Sequence, residues 1–322
     1  MKEKTMTFTD TTYQWLESIQ LHISRATYYK YEQLIRNYIA PFFDAVTFEV
    51  LDTGTLNHFY QETCVKEPDH GHRLSEGNLR TLLMIVNKTL EFAYDNRYTQ
   101  IRQYIKPCIA KTPHIVQVFT AEHQQRLERY LFSQHNKYSL AMMTALYTGV
   151  RIGELCALKW SDVDLISGAL NIRRTVQRLK TGDLAPMPKT LLMISPPKSR
   201  SSYRSIPLPG FVREYMLTFY NASLHEYYIF TDSGDHPLDP RTLQYAYKRV
   251  LKSHDIPYMN FHCLRHTFAT RCITLGWDVK TLSEILGHAD IKMTMDYYFH
   301  SSFEYKKMQM DKLTPLGGQA RV

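Results

Sequence analysis

The sequence lacks the features of membrane, secreted and disulfide-bonded proteins. No apolar run of about 18 residues occurs in it, which excludes a membrane span. The start of the chain, MKEKTMTFTD, contains no apolar stretch of the kind that a secretory signal needs. The 5 cysteines are scattered and form no CxxC pair, which argues against a zinc ribbon or a disulfide framework. We therefore expect a soluble, intracellular protein with reduced thiols.

The composition is that of a globular protein with a basic surface. The 322 residues suffice for two domains, and 44% hydrophobic residues allow each domain a core. The net charge of +8 and the pI near 9.1 favour an anionic partner, and nucleic acid leads because cations on a protein release the counterions condensed on its phosphates. Many basic proteins bind no nucleic acid, so the motifs must decide.

Residues 9–105, which follow a short tail at 1–8, show helical periodicity and no strand pattern. A first helix is expected at 9–21. For the second, Ser24 is a suitable N-cap and Pro41 is expected to end the helix; a third begins near Thr53 or Thr55. The clearest pattern is in a fourth helix, where one continuous apolar stripe contains Leu79, Leu82, Leu83, Val86, Leu90 and Ala93.

Several cations of this helical domain lie off the apolar stripes. They could contact a DNA backbone, or they could belong to solvated helix faces. The candidates are Arg25, Lys30, Arg36, Arg80 and Lys88. The proline-containing segment 106–118 has no periodicity and is predicted to be the linker to a second domain.

The second domain, 119–300, mixes helices with strands. Thr120 is a plausible N-cap, and Gly149 is a suitable left-handed end for the next helix. Strand patterns occur in ALNIRRTV, TLLMIS and YRSIPL, and PPKSRSS between the last two is predicted to be a hairpin turn with Lys198 at its tip. We predict an α+β, mostly helical chain: a helical N-terminal domain and a mixed C-terminal domain with a small antiparallel sheet.

Three segments carry groups that suit phosphate chemistry. Arg151 follows the helix stop and is either a surface charge or half of a partly buried pair with Glu154. His262 and Arg265 lie one helical turn apart, so one face presents both to a ligand. Gly287 is predicted to end a helix and to leave His288 at its C-terminal tip, where the helix dipole favours protonation.

These groups together could break a phosphodiester without a metal ion or cofactor. Two arginines can hold the non-bridging oxygens of a phosphate, and a tyrosine, Tyr297 or Tyr298, can attack the phosphorus. Lys198, His262 and His288 are candidates for proton transfer. No carboxylate cluster of the two-metal kind accompanies them.

Four motifs in this order resemble those of the tyrosine recombinase/phage integrase family. TGVRIGELCALKWSDVDL is similar to its first-arginine box, and PPKSRSSYRSIPL is similar to its lysine segment. FHCLRHTFAT is similar to the family's His-x-x-Arg box, and LGHADIKMTMDYYFH to its His…Tyr box. The resemblance covers nearly the whole chain, and the helical domain resembles the family's SAM-like core-binding domain.

The resemblance implies a site-specific recombinase that integrates or excises a phage or another mobile element. Arg151 and Arg265 would bind the scissile phosphate, Lys198 would protonate the leaving 5′-hydroxyl, and His262 would assist proton transfer. His288 would support the phosphate or orient the nucleophile. Family spacing places that nucleophile ten residues after the Gly-His histidine and two before another histidine, which selects Tyr298 over Tyr297 and predicts a 3′-phosphotyrosine intermediate.

The resemblance also implies partners and a location. Double-stranded attachment-site DNA would be held by a homotetramer on two duplexes, with DNA-bending or excision factors as accessory partners, no cofactor and no membrane. The protein would act in the bacterial cytoplasm, at the nucleoid. The tail at 301–322 is either a frayed terminus or a segment that docks on a neighbouring protomer.

Two departures and three alternatives accompany this prediction. Cys263 stands where the family commonly has Asp. The helices are expected to begin within about ten residues of Met1, so we expect a separate upstream arm-binding domain to be absent or reduced to a tail. A telomere resolvase or a type IB topoisomerase would use similar chemistry. A DNA-binding relative without cleavage would be expected to have lost the tyrosine or an arginine.

Overall fold

The computed structural model describes residues 6–65, 74–100, 102, 104–105, 116–180, 190–197, 199–231, 234–298, 307 and 310–313. The side chains of 64–65, 180, 293 and 296–298 lie outside this description. The chain divides into unit 1, Met1–Pro113 with Leu179–Leu191, and unit 2, His114–Arg178 with Leu192–Val322. In the described ranges no helix has the length and apolarity to cross a bilayer.

Unit 1 contains the four predicted helical stretches. Each begins after a side chain that accepts a hydrogen bond from a backbone N–H of the first turn, and these caps are Thr7, Ser24, Asp52 and Ser75. The helices are α1 Phe8–Ser18, α2 Arg25–Leu34, α3 Ala40–Phe43, α4 Thr53–Tyr60 and α5 Glu76–Asp95.

The prediction that Pro41 ends the second helix is wrong. A π-turn at Ile35–Ile39 follows α2 and leads directly into α3, which continues to Phe43. The wider turn shifts the hydrogen-bond register, and Pro41 then lies in the first turn of α3, where a missing N–H costs nothing. The helix therefore passes through the proline.

The core of unit 1 forms around α5. All six residues of its predicted stripe are buried, which confirms the periodicity. Aromatic rings from other helices pack in the same cluster, among them Phe8, Phe43 and Phe59. Each such side chain removed from water contributes roughly 1.5–3 kcal/mol to folding.

Unit 2 is built around one buried helix, α7. It spans Lys137–Thr148 and is enclosed by neighbouring helices of the same unit. Thr120 caps α6, and Gly149 ends α7 in the left-handed region at φ 65°, both as predicted. The helices of unit 2 are α6 Ala121–Ser133, α7 Lys137–Thr148, α8 Ile152–Cys156, α9 Gly210–Leu217, α10 Pro240–Ser253, α11 His262–Thr274, α12 Val279–Leu286 and α13 Ile291–Tyr298.

The described residues form two small sheets rather than one, and the pairings of the first sheet are antiparallel. The first consists of β1 Val163–Asp164, β2 Ala169–Ile172 and β5 Arg204–Pro207, in the order β1-β2-β5. The second pairs β3 Thr175–Lys180 with β4 Thr190–Ser195. The small antiparallel sheet content of the predicted fold class is confirmed, but its connections differ from the prediction.

Two strand predictions are corrected. ALNIRRTV is not one strand: it breaks at Arg173 and Arg174, and Arg174 turns to the buried Asp162 at 2.7 Å. The predicted hairpin between TLLMIS and YRSIPL does not form, because β4 and β5 belong to different sheets, and Lys198 at its predicted tip lies outside the described residues. Ile206 of β5 instead pairs with Leu170 of β2, and this buries both apolar side chains.

Candidate active site

Arg151 is held in a tight turn between α7 and α8. Its Nη1 donates to Oε1 of Glu154 at 2.8 Å, and its backbone N–H donates to Oε2 at 3.0 Å. Its Nη2 also donates to the carbonyl of Gly287 at 3.2 Å. Of the two interpretations of Arg151, the ion pair is therefore correct. The arginine side chain is 35% exposed and that of Glu154 only 5%, so Arg151 is the member of the pair that a ligand can reach.

Arg265 lies on α11 and is almost fully buried, at 2% exposure. Its Nη1 donates to the carbonyl of Gly149 and its Nη2 to that of Leu286, each at 2.8 Å. Nη2 also lies 2.7 Å from Nε2 of His288. Because a buried charge must be paired or hydrogen-bonded, these contacts fix the guanidinium in one position.

A third arginine, Arg204, was not among the predicted site residues. Its Nη2 donates to Oε2 of Glu154 at 2.8 Å, and its Nε donates to the carbonyl of Ile285 at 2.6 Å. A signal for it was available. Arg204 lies two residues before Ile206 in one strand, so both side chains point to the same, core-facing side of the sheet. An arginine on that side needs a buried partner.

The C-terminal end of α12 connects all three arginines. The carbonyls of Ile285, Leu286 and Gly287 accept from Arg204, Arg265 and Arg151 respectively. The last carbonyls of a helix have no partner within the helix and carry partial negative charge, so three cations there are favourable. One helix end thus brings together three residues that are far apart in sequence.

His288 follows this helix end, and the predicted stop at Gly287 is confirmed by its φ of 65°. A guanidinium can only donate, so Nε2 of His288 accepts from Arg265 and the proton lies on Nδ1. Nδ1 then donates to Oγ1 of Thr294 on α13, 2.7 Å away. Thr294 is fully buried and was also missed by the sequence analysis.

The prediction that the helix dipole favours protonation of His288 is wrong. Burial, followed by the positive charges of Arg265, Arg151 and Arg204, lowers its pKa to about 3. The three guanidinium groups already satisfy the carbonyls at the helix end, so a fourth positive charge there is repelled. His288 is neutral at pH 7.

His262 begins α11, one turn before Arg265. Burial, followed by the neighbouring His266 and Arg265, lowers its pKa to about 4, although the residue as a whole is exposed. The two imidazole rings meet edge to face with centroids 4.6 Å apart. Cys263, at the position where the family commonly has Asp, is buried and its Sγ lies 3.6 Å from Oδ1 of Asn260.

Two predicted residues lie outside the described part of the site. Lys198 is not among the described residues, and the side chain of Tyr298 is likewise outside the description. The backbone of Tyr298 is described, and this residue is the last of α13, one helical turn beyond Thr294. The site residues that the described side chains bring together are Arg151, Arg265 and His288, with His262 one turn away on α11.

The five candidate DNA contacts all lie on described helices of unit 1. Arg25, Lys30, Arg80 and Lys88 are exposed, and Arg36 is half-buried. Some of them contact other side chains: Lys88 lies 2.6 Å from Glu91, and Lys30 donates to Thr81 at 3.2 Å. Arg80 and Lys88 line a cavity of about 600 Å³ together with Met84, Asn87, Glu91, Arg102 and Tyr104. Unit 1 therefore carries a surface that is cationic but partly neutralised.

Comparison with known proteins identifies the family. Residues 117–305 match the phage integrase family, and residues 7–62 match the phage integrase N-terminal SAM-like domain. The chain belongs to the phage integrase family, as its motifs predicted. Members of this family, the tyrosine recombinases, are site-specific recombinases that cleave and rejoin DNA strands.

Individual relatives agree with this assignment. A XerC-like tyrosine recombinase of Caldanaerobacter subterraneus is 25% identical over 97% of this chain and 83% of its own length. The transposase of transposon Tn916 from Enterococcus faecalis is 25% identical over 64% of the chain, which spans 53% of that relative.

Solved structures share the fold. The Tn1549 transposon integrase in complex with a circular intermediate DNA has a TM-score of 0.75 and 18% identity, over 96% of this chain and all of the other. A lambda integrase tetramer bound to a Holliday junction has a TM-score of 0.60 and 18% identity, over 92% of this chain and 78% of the other. The predicted fold class is confirmed.

Proposed function

We propose that this recombinase integrates or excises a mobile element through a covalent 3′-phosphotyrosine made by Tyr298. As the tyrosine oxygen attacks the scissile phosphorus, its proton passes to the neutral His262, a phosphotyrosyl bond forms, and the bond from phosphorus to the 5′-oxygen breaks. Lys198 supplies the proton that the leaving 5′-oxygen takes up. A 5′-hydroxyl from the partner duplex then attacks the phosphotyrosine, which restores the phosphodiester and frees the tyrosine.

The observation that carries the proposal is the convergence of Arg151, Arg265 and His288 on the C-terminal end of α12. With Arg204 and Glu154, the site contains three guanidinium groups and one carboxylate, a net charge of two positive units while the histidines are neutral. A phosphodiester carries one negative charge and gains a second as the tyrosine attacks. Fixed cations stabilise that developing charge without reorganising.

The two histidines have different positions and so different proposed roles. His288 is locked between Arg265 and Thr294, and it holds the position of the phosphate and of α13. His262 is an exposed residue, which suits proton transfer. Burial is the largest cause of both low pKa values, and neighbouring cationic groups lower them further. A bound anionic phosphate opposes this second cause and so raises both pKa values.

The partners are double-stranded attachment-site DNA and three further copies of the chain. Residues 9–105 form the core-binding domain, residues 106–118 the linker and 119–300 the catalytic domain. Exposed cations of unit 1 contact the DNA backbone, and the tail at 301–322 docks on a neighbouring protomer. The tetramer of the similar lambda integrase on a Holliday junction supports this assembly. Accessory bending or excision factors assist it, and the protein acts at the nucleoid of a bacterial cell.

A nicked suicide substrate tests the nucleophile. The core sequence is first selected for binding by the full chain, and a nick beside the cleavage site lets the leaving fragment diffuse away. The wild type and Tyr297→Phe should form a covalent protein–DNA adduct that survives denaturation, whereas Tyr298→Phe should form none. An adduct that persists in Tyr298→Phe and disappears in Tyr297→Phe contradicts the assignment.

A further inference from the structure

Arg204 is tied by its hydrogen bonds to both sides of the phosphate site. Its side chain is 5% exposed, against 35% for Arg151. In addition to Glu154 and the carbonyl of Ile285, it donates to the carbonyl of Ser202 at 3.2 Å. These contacts join strand β5, helix α8 and the end of α12.

The carboxylate of Glu154 is divided between two arginines. Oε1 accepts from Arg151 and Oε2 accepts from Arg204, each at 2.8 Å. Burial alone would raise the pKa of Glu154, but Arg204 and then Arg151 hold it below its usual value, so the group is charged. An arginine prefers to bind both oxygens of a carboxylate in parallel. If Arg204 left Oε2, Arg151 could close on both oxygens and lose donors that a phosphate needs.

Arg204 also packs against the helix end that the other arginines use. A Cβ atom on Gly287 would lie 2.9 Å from Nη1 of Arg204, so the glycine and the guanidinium are in close contact. The carbonyl of Gly287 is an acceptor for Arg151. The position of Arg204 therefore influences the position of the Gly287 carbonyl and of His288, the residue that follows.

We infer that Arg204 is a positioning residue that holds one oxygen of Glu154 and the end of α12, and thereby keeps Arg151 available to the phosphate. The inference rests on the proposed function, since it assumes that Arg151 binds the scissile phosphate. We distinguish Arg204 from the clamp because each of its three guanidinium nitrogens donates to a protein acceptor, on Ile285, Ser202 and Glu154.

Binding of inorganic phosphate to the full chain tests this role without DNA cleavage. The dissociation constant is measured from the NMR shifts of arginine side-chain N–H groups and of the His288 ring. Arg204→Met should weaken phosphate binding about tenfold or more, because Arg151 closes on Glu154. Adding Glu154→Gln should restore the affinity to within about threefold of wild type, because a neutral amide no longer attracts Arg151.

Arg174→Met is the matched control. It also removes an arginine from a buried carboxylate, that of Asp162, and should leave phosphate affinity unchanged at a comparable loss of thermal stability. A purely structural role for Arg204 predicts additive losses in the double variant. Phosphate affinity that is normal in Arg204→Met, or no better in the double variant than in the single one, overturns the inference.

Arg204→Lys serves if Arg204→Met does not fold. A lysine can hold Oε2 of Glu154 but cannot also reach the carbonyl of Ile285, so we expect an intermediate loss of about threefold. Phosphate affinity in Arg204→Lys equal to that of the wild type, or a loss that adding Glu154→Gln does not relieve, would overturn the inference. If the wild type binds phosphate but forms no adduct on the suicide substrate, the proposed function fails while this result still decides the role of Arg204.

Discussion

The contact between His288 and Thr294 ties the phosphate site to the helix that ends with Tyr298. Thr294→Val removes the hydroxyl acceptor and keeps the shape of the side chain, which is fully buried. The Nδ1–H of His288 then loses its partner. The imidazole cannot escape by moving the proton to Nε2, because that nitrogen would then face the Nη2 donor of Arg265 at 2.7 Å.

The size of the effect follows from the cost of a buried donor without an acceptor, about 1–3 kcal/mol. We expect Thr294→Val to lower the free energy of unfolding by about this amount. If the same contact orients α13 in the transition state, the rate of adduct formation falls by about 10- to 100-fold, since about 1.4 kcal/mol corresponds to a factor of ten.

Two measurements separate orientation from stability. The ¹⁵N shifts of the His288 ring report the tautomer, and the suicide substrate reports the rate of covalent attachment. Thr294→Ser keeps the hydroxyl and should restore both. Thr144→Val is the control, because Thr144 is equally buried but its hydroxyl donates to the carbonyl of Leu140 within its own helix. Normal cleavage by Thr294→Val, or an equal loss in Thr144→Val, would refute the reasoning.

Two further predictions concern the same helix end. The pKa of His288 is about 3 in the folded protein and about 6.5 in the unfolded chain. Below about pH 6.5 the unfolded state therefore binds a proton that the folded state does not, and the free energy of unfolding falls as the pH drops. Urea unfolding between pH 7 and pH 4 should show this fall, and His288→Gln should reduce it. Gly287→Ala should weaken phosphate binding and destabilise the fold, because the new Cβ would meet Arg204 and the residue has a positive φ. Gly276→Ala is the control: it also has a positive φ, of +83°, but no such contact with Arg204, and it should destabilise the fold without weakening phosphate binding. Equal phosphate affinity in the two alanine variants would contradict the close contact.

Local features of the sequence predicted local features of the structure. The apolar stripe of α5, the N-caps Ser24 and Thr120 and the left-handed stops at Gly149 and Gly287 each depend on a few neighbouring residues. Such patterns report which face is buried and where a helix must end. They predict helices well because helical contacts are close in sequence.

Non-local features were predicted less well. The alternation in TLLMIS and YRSIPL is compatible with pairing between them, and only the burial of Leu170 against Ile206 selects the other partner. The protonation of His288 failed for a related reason. A helix dipole can be inferred from sequence, but the three arginines that outweigh it come from β5, α11 and the turn before α8. A pKa depends on the neighbours in space, which a single motif does not specify.

The end of α12 explains why arginine, rather than lysine, occupies all three positions. Each guanidinium donates to one terminal carbonyl and, at the same time, to another acceptor: Glu154 for Arg151 and Arg204, and His288 for Arg265. An ammonium group is a compact point charge and cannot bridge two such acceptors in fixed directions. Because all three bridges share one helix end, a displacement of α12 relative to α8 and α11 would disturb every member of the site together. The geometry of the phosphate site therefore depends on how firmly α12 packs against its neighbours.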